Sequence, residues 1–208
     1  MGSVRIHHSP SKPSPHCVYV VNDKEDLRTL ILPILEHYPF LTVKQNNVIF
    51  MKKLLDLNVI HSSELTLERN KLNNTLLPTI KAPYYLQSWV IGFIEGAPAE
   101  GSFSVYKARG YFEASFSIGQ KNGESILLLI KNALHLTTKV YPDKHNDCFY
   151  LKVSSVKNIE NVINGISMAP VKFLGHKRLS YGARSASWLE KIRTIPKYCN
   201  SFKIPQDY

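Results

Sequence analysis

The chain has 208 residues, 44% hydrophobic and 11% aromatic, enough for one large domain or two small ones and too apolar for global disorder. A net charge of +10 points to a polyanionic partner, either nucleic acid or an acidic membrane surface. No apolar run approaches the roughly 20 residues of a bilayer span. The widely separated Cys17, Cys148 and Cys199 argue against a disulfide framework and fit a reducing compartment, and no CxxC spacing suggests structural zinc.

In chain order, the basic N-terminal stretch lacks the apolar core of a secretory signal. Cys17 to Val21 reads as a strand. Asn22 or Asp23 then caps a helix with Glu25 and Asp26 in its first turn and Leu27, Leu30, Ile31 and Ile34 on its apolar face, ending near His37 before Pro39. Val48 to Leu57 and Ser63 to Leu76 read as two further helices, and Pro78 and Pro83 mark a linker.

Trp89 opens an apolar helical segment that runs into a strand at Ser102 to Lys107. Ala108-Arg109-Gly110 predicts a hairpin turn. Tyr111 to Gln120 alternates, with Phe112, Ala114, Phe116 and Ile118 on one side and a polar set on the other, as in a half-buried strand. A helix over Glu124 to Leu134, a strand around Leu136 to Tyr141, a turn at Pro142 to Asn146 and a strand over Cys148 to Val153 follow. Helices over Val156 to Ile166 and Ser180 to Arg193 and a basic tail complete the chain. The order is α+β, an antiparallel sheet covered by helices on one face.

A weak internal repeat runs through this order. Cys17-Val18-Tyr19-Val20 lines up with Cys148-Phe149-Tyr150-Leu151, and each is followed by a helix with apolar residues, Leu27 and Ile31 in one, Ile159 and Ile163 in the other. Phe40-Leu41-Thr42-Val43-Lys44 lines up with Phe173-Leu174-Gly175-His176-Lys177. Residues 1–80 then read as the second half of a first repeat, with Gly2 to Ile6 as a strand, and residues 81–208 as a complete second repeat with a basic tail.

The segment Trp89 to Phe103 reads WVIGFIEGAPAEGSF. Val90 to Glu95 and Ala99-Glu100-Gly101 resemble the signature helix of LAGLIDADG homing endonucleases and intron maturases, with Gly96-Ala97-Pro98 inserted before the second acid. A proline inside a helix costs roughly 3 kcal/mol. The resemblance implies one full αββαββα repeat plus a partial one. It also implies that Glu100 is the catalytic acid and magnesium ligand, that Gly92 allows close packing of two signature helices, and that Lys44 and Lys177 are basic residues flanking the active centre. The reaction it implies is magnesium-assisted hydrolysis of double-stranded DNA, and the family's habits suggest a mitochondrial setting.

Beyond the motif, Ser104, Tyr106, Glu113, Ser115, Ser117 and Gln120 are types that can touch phosphate or base edges, with Lys107, Arg109 and Lys121 at the strand ends. From Val171 to Pro205 there are eight Lys or Arg (Lys172, Lys177, Arg178, Arg184, Lys191, Arg193, Lys197, Lys203) against one acid, Glu190, with His176, Tyr181, Trp188, Tyr198 and Phe202 among them. Cations interleaved with aromatics suit phosphates and unpaired bases. Since the partner signature helix is missing, the first expectation is a cleavage-deficient protein. It would bind structured RNA in an organellar ribonucleoprotein, maturase-like or associated with the mitoribosome, with no cofactor. The second is a homing endonuclease fragment whose missing half comes from another polypeptide or an upstream exon. Both need a nucleic acid and an assembly partner, and neither needs a membrane.

Overall fold

A computed structural model describes residues 2–7, 16–57, 65–73, 81–96, 103–144, 146–183 and 187–206. The chain divides into two compact units, 1–78 and 79–208.

In the first unit, β1 (Ser3–His7) and β2 (His16–Val20) pair antiparallel, with Val4 opposite Tyr19 and Ile6 opposite Cys17. The Asp23 carboxylate accepts the Asp26 N–H at 2.9 Å and starts α1 (Lys24–Asp26), which continues through a π-helical stretch, Leu27–Ile31, into α2 (Leu32–His37). Pro33 accounts for the wide turn, because it has no N–H and its ring crowds the carbonyl four residues back. The Leu32 N–H reaches back to the Leu27 carbonyl instead. The extra residue rotates the apolar face. Leu27, Leu32 and Leu35 pack with Val48, Met51 and Leu55 of α3 (Lys44–Asp56), whereas Leu30 and Ile34, expected on that face, are 43% and 56% exposed.

The helix α3 begins four residues ahead of its first buried apolar residue, Val48, and α4 (Thr66–Asn73) lies inside the expected third helix. Asn46, buried in α3, donates its side-chain amide to the Leu72 carbonyl at 2.6 Å and ties the two helices together.

The second unit opens with α5 (Leu86–Gly96), whose Leu86, Val90, Ile91 and Ile94 are buried. Next come β3 (Phe103–Ala108), β4 (Tyr111–Lys121), α6 (Glu124–Ala133), β5 (Tyr141–Pro142), β6 (Cys148–Val153) and α7 (Val156–Ser167). The sheet order is β3-β4-β6-β5, antiparallel throughout. Arg109 and Gly110 turn the β3–β4 hairpin with φ of +50° and +86°, the sign a two-residue type I′ turn requires. Ala114, Phe116, Ile118, Leu151 and Val153 are buried on the side that α6 and α7 cover. The helix, two strands, helix, two strands, helix order is the expected one.

Two expected elements are corrected. The strand over Leu136 to Tyr141 shrinks to Tyr141–Pro142, because α6 ends by folding the chain back. The Leu136 N–H bonds the Lys131 carbonyl at 2.8 Å and the His135 N–H bonds the Asn132 carbonyl at 3.1 Å, with His135 left-handed at φ +50°. This buries Leu136 under the helix end and takes its N–H out of any ladder. The helix over Ser180 to Arg193 is two pieces. Following α8 (His176–Arg178) is a π-helical stretch, Leu179–Ala183, and Ser187 then caps a new helix, α9 (Trp188–Arg193), accepting the Glu190 N–H in a Ser-x-x-Glu arrangement.

The core between β3 and the C-terminal helices is aromatic. Phe103 has the rings of Phe116, Phe173, Tyr181 and Trp188 with centroids 5.0–6.0 Å away, and the Trp188 indole donates to the Ser104 carbonyl at 3.0 Å. A short helix, α10 (Pro196–Cys199), lies against β4. Pairing with β6 ends at Phe116, so the backbone of Ala114 has no strand neighbour on that side. The Tyr198 hydroxyl takes the place: it accepts the Ala114 N–H at 3.0 Å and lies 3.2 Å from the Ala114 carbonyl and 3.0 Å from that of Ser154. Tyr198→Phe leaves these groups buried and unpaired, and is expected to cost about 1–3 kcal/mol, measured as a lower urea midpoint at unchanged slope.

Candidate nucleic-acid interface

The face of the sheet opposite α6 and α7 is set by the strand register. Tyr106 pairs with Glu113, Ser104 with Ser115, Ser117 with Lys152, Gly119 with Tyr150, and Tyr150 with Tyr141. Alternate residues point to one side, so these share a face. Five of the expected contact residues are therefore brought together: Ser104, Tyr106, Glu113, Ser115 and Ser117. Two are not. Lys107 and Gln120 carry the other parity, paired with Phe112 and Phe149, and Gln120 folds toward Gly123 at the start of α6. Arg109 at the hairpin tip and Lys121 at the strand end are exposed, as expected.

Exposure divides the face further. Ser115 is 1% exposed and its hydroxyl meets that of Ser104 at 2.7 Å, so the central pair serves the sheet and not a ligand. Glu113 accepts from Lys197 Nζ at 3.0 Å and from the Tyr106 hydroxyl at 3.3 Å. The Lys197 ammonium holds the Glu113 carboxyl below its ordinary value, and Glu113 in turn raises Lys197. Lys152 lies over the Tyr106 ring, 5.5 Å from its centroid, and Tyr150 lies over Gly119, where an added Cβ would meet the ring at 2.5 Å. Phe112, expected in the core, is 58% exposed with Tyr111 at the hairpin end, beyond the reach of the helices. What the face presents is a row of tyrosines, Tyr106, Tyr150 and Tyr141, with the cations Lys152, Arg109 and Lys121. Lys152 and Tyr150 were missed from the sequence. The alternation of exposed Tyr150 and Lys152 with buried Leu151 and Val153 was the signal that could have found them.

The C-terminal patch is largely corrected. Tyr181 and Trp188 are buried in the aromatic core and Tyr198 against the β4 backbone, so none of the three is presented to a base. Arg193 bonds Glu190 and the carbonyls of Pro205 and Gln206, clamping the chain end, and Lys172 bonds the Ser167 carbonyl. Arg178, Lys191 and Lys203 are exposed; Arg184 lies outside the described residues. His176 is exposed, with its Nδ1 3.2 Å from the Ser180 hydroxyl.

At the end of α5 the motif residues have distinct positions. Glu100 lies outside the described residues, as do Ala97 and Pro98. Gly92 is exposed, and among the described residues nothing lies within 4 Å of a Cβ placed on it, so the close packing expected of it is not made there. The Glu95 carboxylate accepts the N–H groups of Leu174 and Gly175, both at 3.1 Å. Lys177 is 4% exposed, and burial pushes its ammonium below the ordinary lysine value while Glu95 opposes part of that shift. Lys44, expected at a matching place in the first unit, is exposed at the start of α3, its own N–H on the Thr42 hydroxyl at 3.4 Å. Burial is also reversed around the two lysines: Leu41 is buried and Phe40 exposed, whereas Phe173 is buried and Leu174 exposed. Among the described residues, no group of three His, Cys, Asp or Glu side chains could hold a metal ion.

Residues 90–184 match the LAGLIDADG endonuclease family model. They belong to the LAGLIDADG family. The match runs from α5 through the sheet, α6 and α7 to the π-helical turn after α8. A probable intron-encoded endonuclease, aI3, of Dictyostelium citrinum is 28% identical over 183 residues, covering 86% of this chain and 71% of that protein. One of the same description from Debaryomyces hansenii is 26% identical, and this chain spans 29% of its length. Among solved structures, meganuclease I-SmaMI bound to uncleaveable DNA superposes with a TM-score of 0.63 at 21% identity, covering 87% of this chain and 68% of that one. The LAGLIDADG meganuclease I-CpaMI bound to uncleaved DNA gives 0.67 at 16% identity, covering 92% and 72%. The α+β LAGLIDADG fold is thus established. No helix among the described residues is long and apolar enough to cross a membrane.

Two measurements check this surface. Lys152→Ala and Arg109→Ala are each expected to weaken nucleic-acid binding and to lower the slope of log affinity against log salt by about 1. Arg193→Ala is expected to lower the melting temperature and leave that slope unchanged; anisotropy titrations at several salt concentrations separate the two. Because the Glu113 carboxyl is held low, its ion pair contributes above the unfolded carboxyl value of about 4.3 and is lost as pH falls through the lower folded value. Melting temperatures of the parent chain and of Glu113→Gln are therefore expected to converge on acidification from about pH 6 to pH 3.

Proposed function

We propose that this chain is part of an intron-encoded LAGLIDADG DNA endonuclease. Its second unit would lay the tyrosine- and lysine-bearing sheet face along double-stranded DNA, with Glu100, four residues after α5 in sequence, as the acid for the phosphodiester. The observation that carries this reading is the fold itself, shared with endonucleases solved on DNA. It reverses the order reached from sequence, where structured RNA came first. The basic, aromatic C-terminal segment that favoured unpaired RNA turns out to spend Tyr181, Trp188, Tyr198 and Arg193 on its own core and chain end. The first unit supports a partial repeat: its hairpin β1–β2 followed by a helix parallels β5–β6 followed by α7.

Magnesium, which the family implies, is not matched by the described side chains. Glu95 faces two backbone amides and the field of Lys177, and no other carboxylate cluster stands near it among the described residues. Cleavage thus turns on Glu100. What the described residues offer is a desolvated ammonium, Lys177, whose charge acts strongly on a nearby phosphate because burial strips the water that would screen it.

The reading is tested by incubating supercoiled plasmid and long duplex DNA with the protein and magnesium. Nicking or linearisation that Glu100→Gln lowers at least a hundredfold is the expected outcome. Salt-sensitive binding to RNA in preference to duplex DNA, with no nicking at any magnesium concentration, would overturn it in favour of a cleavage-deficient RNA binder.

A further inference from the structure

We infer that Glu95 is a positioning residue: it holds the turn 173–177 so that Lys177 is presented, buried, beside the end of the signature helix. As a statement about cleavage this rests on the endonuclease reading; as a statement about geometry it stands by itself.

The segment from Phe173 to Lys177 is fixed at two points. Phe173, 1% exposed, is set in the aromatic core against Phe103 and Tyr181. Leu174 has its side chain in solvent, at 89% exposure, so its backbone is what the protein uses, and its N–H goes to Glu95 Oε2. The Gly175 N–H goes to Oε1 of the same carboxylate. Gly175 is the residue before α8, which has no side-chain cap of its own. The start of a helix carries amides without internal acceptors and a partial positive charge, and a carboxylate answers both. Here the carboxylate comes from 80 residues back in the chain. A Cβ on Gly175 would sit 2.7 Å from Glu95 Oε1, so a side chain there pushes the carboxylate away.

Lys177 follows two residues later, within the electrostatic reach of Glu95. Burying an ammonium costs several kcal/mol unless an opposite charge stands near. Glu95 therefore does two things at once: it orients the turn and makes the buried cation tolerable. Glu95 also lies five residues before Glu100. One side chain thus ties the lysine-bearing turn to the helix from which the candidate acid departs.

The test is acylation of the free full-length protein with an amine-reactive acetylating reagent, read residue by residue by mass spectrometry. In the parent chain Lys177 is expected to label at least tenfold more slowly than the exposed Lys152 and Lys191. Glu95→Ala and Gly175→Val are each expected to raise Lys177 labelling about tenfold while leaving Lys152 and Lys191 unchanged. Glu95→Gln, which keeps an acceptor oxygen but no charge, is the folded control if Glu95→Ala does not express, and is expected to show a smaller rise. In plasmid nicking, Glu95→Ala is expected to lower the rate at saturating DNA at least tenfold with less than threefold change in duplex affinity. In a Lys177→Ala background the same substitution is expected to add no further loss. Lys177 remaining protected in both Glu95 variants would overturn the positioning role, as would fully additive losses in the double variant. A parent chain that nicks no DNA and prefers RNA to duplex DNA would sink the endonuclease reading and leave the labelling result to decide the geometry.

Discussion

The second unit depends on how the long strand β4 is partnered. Its first half pairs with β3 and its second half with β6, and both ladders include Phe116. That overlap puts Phe116 at the centre of the sheet, fully buried and against Phe103. Alongside the first half, on the flank that β6 never reaches, the protein uses α10 in place of a strand. Tyr198 satisfies the backbone and Lys197 neutralises Glu113. The C-terminal helices are therefore a structural necessity for the face that would meet nucleic acid. They brace the part of the sheet that carries Tyr106 and Glu113.

This changes how the charge of the chain is understood. A net charge of +10 is a sum over side chains with different work to do. Arg193 is spent on the chain end, Lys197 on Glu113, and Lys177 is buried. The cations left facing outward from the sheet and its ends are fewer and more local: Lys152, Arg109 and Lys121. Their interleaving with Tyr106, Tyr150 and Tyr141 gives this face a mixed aromatic and basic character.

The order of elements in the second unit was legible in the sequence, since alternation in β4 and the apolar spacing of α6 and α7 are direct consequences of burial on one side. The signature motif was legible because its residue types are unusual together. Other features were not. The face of the first long helix was misjudged because periodicity assumes a constant turn, and Pro33 forces one wide turn that shifts the phase. Tyr181, Trp188 and Tyr198 were misjudged because aromatics between lysines look the same in sequence whether they stack on a base or fill a core. Their spacing is broken by the separate cap at Ser187. The role of Glu95 was not legible because its partners are backbone amides, which no side-chain pattern records.

The link between Glu95 and the turn before α8 bears on the order in which the chain folds. A helix as short as α8, with no local cap, does not persist alone, since nucleation is costly and each end leaves amides unmet. Its acceptors arrive from a helix about eighty residues earlier, after the sheet has brought the two ends of the unit together. Contacts of such long sequence separation form after local ones because loop closure must come first. The lysine-bearing turn would therefore be among the last parts of the unit to set during folding, and among the first to open under denaturant.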